Sequence, residues 1–157
     1  GHIKPGTTSE VPVIGSDVFP TMLGIAGVKS PEGRTLDGVN VLPVLTGAST
    51  KVARPQPLFW RLHMAPNAKM AMRVGDWKIL ANAELTEFEL YNLKTDPKEA
   101  TDSKSAEPQR FAALREQLVK HNAAVDAECP DWWKTLSPNG GKAKSAEPAA
   151  KKKGKKQ

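Results

Sequence analysis

The chain has 157 residues, enough for one buried core, with 39% hydrophobic residues and a formal net charge of +6. Seven of its 23 basic residues and one of its 17 acidic residues lie beyond Gly141, leaving 16 of each before it. The body is therefore neutral, and the surplus does not mark a nucleic-acid-binding face. The single cysteine, Cys129, excludes a disulfide framework within the chain, and no apolar run approaches the roughly 20 residues of a membrane-spanning helix.

The opening, Gly1-His2-Ile3-Lys4-Pro5-Gly6, carries neither an initiator Met nor a signal peptide and reads as the middle of a longer chain. Residues 1–15 are loop-like. Ser16 is a good N-cap, and Asp17 suits the positive end of a helix. Val18, Met22, Ile25 and Ala26 follow at helical spacing, and Gly27 fits a left-handed C-terminal position. The pattern predicts a short buried helix over 17–26. A loop over 28–39 contains the turn pair Asp37-Gly38. Val41–Leu45 reads as one helical turn closed by Gly47, and residues 48–57 form a polar, Pro-rich linker.

The pattern changes at Leu58. Leu58–Leu62, Ala68–Val74, Trp77–Ala81 and Glu87–Leu93 read as strands, with Met70, Met72 and Val74 on one face of the second. Gly75-Asp76 is a hairpin turn between the middle two. These spacings predict an antiparallel meander with one face wet. Asp96-Pro97 opens a type I turn, and a helix follows over about 107–127, with Phe111, Leu114, Leu118 and Val125 in one stripe. That helix is the natural cover for the apolar face of the sheet. Trp132 and Trp133 are expected near its end. The Lys-, Ala- and Pro-rich stretch 137–157 cannot bury enough to order itself. The expected fold class is thus α+β: a small four-stranded antiparallel sheet covered by a C-terminal helix over 58–136, preceded by residues 1–47 and the 48–57 linker.

Five segments, in order, resemble sulfatases of the alkaline-phosphatase-like superfamily, of the arylsulfatase and N-acetylgalactosamine-6-sulfatase type. They are Gly1–Thr7; Ser16–Gly27, similar to D-x-x-P-T-x-L-x-x-A-G; Leu36–Gly47, similar to L-D-G-x-S-L-x-P-x-L-x-G; Ala71–Ile79, similar to A-x-R-x-G-D-W-K; and Glu89–Glu99, similar to E-L-Y-D-L-x-x-D-P-x-E. The resemblance covers residues 1 to about 100. It implies that residues 1–47 are the end of a large α/β sulfatase domain, and that the parent protein hydrolyses sulfate esters with a formylglycine and a divalent cation, usually calcium. It also implies as partners a sulfated small molecule or glycan and an N-terminal catalytic domain of the same chain, with a parent that is exported or lysosomal.

The equipment for that chemistry does not match here. Cys129 is followed by Pro130-Asp131-Trp132-Trp133, without the Pro and Arg of C/S-x-P-x-R; Ser30-Pro31-Glu32-Gly33-Arg34 has the Pro one position early. No catalytic residue, metal ligand or cofactor site is expected in this fragment, which alone should be inactive. His63, following Phe59-Trp60-Arg61-Leu62 at a strand end, is the candidate contact to substrate, with Arg61 as a second anion donor. His2 and His121 read as surface residues. Asp37-Gly38 reads as a turn, and Arg73, Asp76, Trp77 and Lys78 as hairpin structure. The competing readings are a binding module whose lysine tail engages polyanions and a plain α+β interaction domain.

Overall fold

The computed structural model describes residues 1–62 and 69–128. Its contacts divide the chain into two compact units, Gly1–Val119 and Lys120–Gln157. The core lies in the first. Four strands, β1 (Leu58–Arg61), β2 (Lys69–Val74), β3 (Trp77–Asn82) and β4 (Phe88–Asn92), form one antiparallel sheet in sequence order. The β2–β3 hairpin pairs Val74 with Trp77 across Gly75-Asp76, and Gly75 takes a φ of 59°, the left-handed conformation that such turns require. The expected strands form with ends trimmed by a residue or so: β1 stops at Arg61 and β4 at Asn92, while β3 extends to Asn82.

Alternation drives the packing. Met70, Met72, Ile79, Ala81, Phe88 and Leu90 form one apolar face, which closes on Leu114 and Leu118 of α3 (Pro108–Glu128). Met72, Ile79, Leu90 and Leu118 are fully buried. Phe111 meets Phe88 edge-on at 6.2 Å between ring centres. Val74 does not join this face: it is 39% exposed, because it sits at the hairpin tip.

The opposite face is only partly wet. Its register row runs Leu58–Arg73–Lys78–Tyr91, and both ends of that row, Leu58 and Tyr91, are buried. Lys78 Nζ donates to Glu99 Oε1 at 2.6 Å, which ties the segment after β4 to the sheet. That segment also covers the β4 edge: Leu90 N–H donates to Asp102 Oδ1, Ser103 N–H to Leu90 O, and Lys104 Nζ to Phe88 O. An otherwise open edge is thereby satisfied by side chain and backbone.

Before the sheet, a 3-10 turn (Gly15–Asp17) leads into α1 (Val18–Ala26), and α2 is a single turn (Leu42–Leu45). Gly27, with φ 65°, ends α1, its N–H on Gly24 O and that of Val28 on Leu23 O, as the Schellman arrangement requires. Two expectations are corrected. Ser16 caps nothing, since Asp17 occupies the N-cap of α1. The helix is also not buried all round: only Pro20 and Thr21 are buried, because the segment touches the rest of the chain on one side alone. Trp132, Trp133 and the 137–157 stretch lie outside the described residues.

Candidate functional site

Arg61, the last residue of β1, is half-buried and registers with Met70. Trp60 beside it is 42% exposed and Leu62 60% exposed. The strand end thus brings the Trp60 ring to the surface on one face of the sheet, with the half-buried Arg61 on the other. His63, the other candidate substrate contact, lies outside the described residues, as does Cys129. His2 is exposed and His121 half-buried. Ser30 and Arg34 of the near-miss motif are both exposed.

Among the described residues, the densest electrostatic constellation is one that sequence spacing does not show. Asp17 is 2% exposed and accepts four hydrogen bonds: from Arg54 Nη1 on Oδ1 (2.8 Å), Arg54 Nη2 on Oδ2 (2.6 Å), Val39 N–H on Oδ1 (2.9 Å) and Ile14 N–H on Oδ2 (2.9 Å). Arg54 Nη2 also donates to Pro12 O at 2.9 Å. Burial pushes the Asp17 carboxyl up, but the Arg54 hydrogen bonds, the two backbone N–H groups and the Arg54 charge outweigh it and hold its pKa at about 2. Nothing in sequence spacing pairs positions 17 and 54. The only signal was an arginine alone in a Pro-rich linker.

The motif glycines belong to the same lock. A Cβ at Gly38 would collide with the backbone of Ser16 and Asp17, and one at Gly24 with the Asn40 side chain. Thr21 Oγ1 accepts the Val41 N–H at 3.0 Å. The two N-terminal motifs therefore hold each other, and Asp37-Gly38 is structural. The two later motifs meet likewise through Lys78 and Glu99. Glu99 sits at φ 55°, a left-handed conformation costly for a residue with a Cβ, and is held there while its carboxylate receives Lys78.

The described residues do not fit a calcium site. No three of His, Cys, Asp and Glu gather among them, and Asp17, the one buried carboxylate among them, has both oxygens engaged by Arg54 and backbone N–H. A groove of about 350 Å³ lies between Pro12, the 54–58 stretch, Arg73–Gly75 and Gln117. It brings no nucleophile or acid–base pair together.

The family described as N-sulphoglucosamine sulphohydrolase, C-terminal, matches residues 1–126. Arylsulfatase K of Mus musculus is 32% identical over 111 residues, covering 65% of this chain and 20% of that protein. A sulfatase of Formosa agariphila is 32% identical over 146 residues, covering 78% of this chain and 26% of that one. The structure of BT4656 in complex with its substrate D-glucosamine-2-N,6-O-disulfate superposes with a TM-score of 0.65 at 25% identity, over 82% of this chain and 28% of that one. The chain thus spans about a fifth to a quarter of the curated relatives' length. A match over residues 1–126 takes in both motif locks, the sheet and the helix that covers it, and the chain belongs to the sulfatase C-terminal domain family named for N-sulphoglucosamine sulphohydrolase.

Proposed function

We propose that this chain is the C-terminal part of a hydrolase of sulfate esters, aryl or carbohydrate, in which it supplies scaffold and one wall of the substrate cleft. The family match over residues 1–126 carries the reading. The calcium and the formylglycine of such an enzyme belong to the part of the protein that precedes this segment, consistent with the absence of C/S-x-P-x-R from the sequence. The cleft wall is the end of β1. Arg61 there carries a planar guanidinium of a shape suited to a sulfate oxygen pair, and His63 follows two residues on. The parent is exported or lysosomal. Among the described residues no helix is long and apolar enough to cross a membrane.

The test is kinetic. In the protein extended to its relatives' length, Arg61→Ala and His63→Ala should each raise KM for a sulfated monosaccharide, with a smaller change in kcat, because neither residue is placed at the reacting sulfur. The 157-residue chain alone should turn over no sulfate ester. Unchanged kinetics in both variants would remove β1 from the cleft, and turnover by the isolated chain would overturn the division of labour.

A further inference from the structure

The groove between Pro12, the stretch before β1 and the tip of the β2–β3 hairpin lies wholly within Gly1–Val119. Its volume of about 350 Å³ falls near the lower end of small-molecule sites, which start at about 300 Å³. Val11, Pro12, Val52, Pro57 and Val74 give it an apolar lining. One wall is fixed in place. Arg54 Nη2 holds Pro12 O at 2.9 Å, and the same guanidinium is bound to the buried Asp17 carboxylate. The charge of Arg54 is thereby compensated.

Arg73 is different. It is half-buried and registers with Leu58, and its Nε donates to Gly75 O at 2.9 Å. That bond holds the guanidinium at the hairpin tip. Both terminal nitrogens stay without a hydrogen bond to any described residue, and among the described residues no carboxylate pairs with them. No residue lining the groove is Asp or Glu. A half-buried cation beside an apolar lining favours a ligand that brings both an anionic head and an apolar body.

We propose that this groove binds a small amphipathic anion, with a carboxylate or sulfate head on the Arg73 fork and a ring on the Val and Pro lining. The ligand is held and not converted, since no nucleophile or acid–base pair faces it. The site is separate from the Arg61 strand end and does not rest on the sulfate-ester reading.

Titration of the isotope-labelled 157-residue chain, followed by amide NMR shifts, tests it. Benzoate and phenyl sulfate are the probes, and the tighter of the two identifies the head. The amides of Val52, Leu58, Val74 and Gly75 should shift saturably, and those of α1 should not. Arg73→Gln should weaken binding about tenfold or more through the lost charge-assisted bonds. Inorganic sulfate, the head alone, should bind about tenfold more weakly than phenyl sulfate, because it buries no apolar surface. Val74→Ser, at the exposed hairpin tip, leaves Arg73 in place and should weaken phenyl sulfate but not inorganic sulfate. The absence of saturable shifts would overturn the proposal. So would equal affinity for inorganic sulfate and phenyl sulfate, which would reduce the site to a surface arginine. Phenyl sulfate affinity unchanged in both variants, or shifts centred on Arg61, would overturn it as well.

Discussion

At the scale of single residues, Asp17 dominates. Its carboxylate is charged and buried, so its energy depends on keeping every donor. With a folded pKa of about 2 against about 3.9 unfolded, it contributes about 2.6 kcal/mol of stability. The sign follows from the depressed value: the contribution is complete above the unfolded pKa and is lost as pH falls from about 4 to about 2. Urea denaturation across that range should show the loss, and Asp17→Asn should flatten it. The same variant should cost about 3 kcal/mol at neutral pH, because Arg54, 15% exposed in its side chain, keeps a charge without a partner. Gly38→Ala tests the neighbouring contact. Its φ is unremarkable, so the cost is steric: the new methyl meets fixed backbone at Ser16 and Asp17, and about 1–3 kcal/mol should be lost in thermal or chemical denaturation.

At the scale of elements, the sheet and α3 depend on each other. Neither the meander nor the first turns of the helix can bury an apolar face alone. Leu118, fully buried, is the test position. Leu118→Ala should cost about 3 kcal/mol through lost burial and the cavity left behind. Leu118→Asp should unfold the unit, since a carboxylate there has no donor to meet it. Circular dichroism with denaturation separates the two outcomes, and an Asp variant as stable as its parent would place the helix on another face. The loop after β4 has a subtler role. The Asp102 carboxyl is pushed up by burial but held below the usual range by its hydrogen bonds from Lys104 and from the Lys104 and Leu90 N–H groups, so it covers the sheet edge in its charged form.

At the scale of the whole molecule, stability is distributed unevenly. The sheet buries its apolar face, whereas α1 exposes its own, and nine residues is too short for an isolated helix to persist in water. Hydrogen exchange on this chain should be slowest across β2–β4 and markedly faster in α1. Uniform protection would show that the Asp17–Arg54 lock is enough to make the segment before β1 as stable as the sheet.

Sequence alone determined the four strands, their order and the face on which α3 closes, because period-2 alternation and the Gly75 turn are local signals that burial then enforces. It determined the end of α1 at Gly27 for the same reason: a left-handed residue is written in one letter. It also showed, through five ordered segments, which family the chain resembles. Tertiary structure alone decided the partners of those segments. The Asp17–Arg54 pair spans 37 positions and the Lys78–Glu99 pair 21, and no periodicity links residues so far apart. It also decided that Tyr91, on the face expected to be wet, is buried, because the loop after β4 folds back over it. And it decided that α1, apolar enough to be read as core, leaves its stripe uncovered: a sequence records how apolar a face is, but only the surrounding chain determines whether anything covers it.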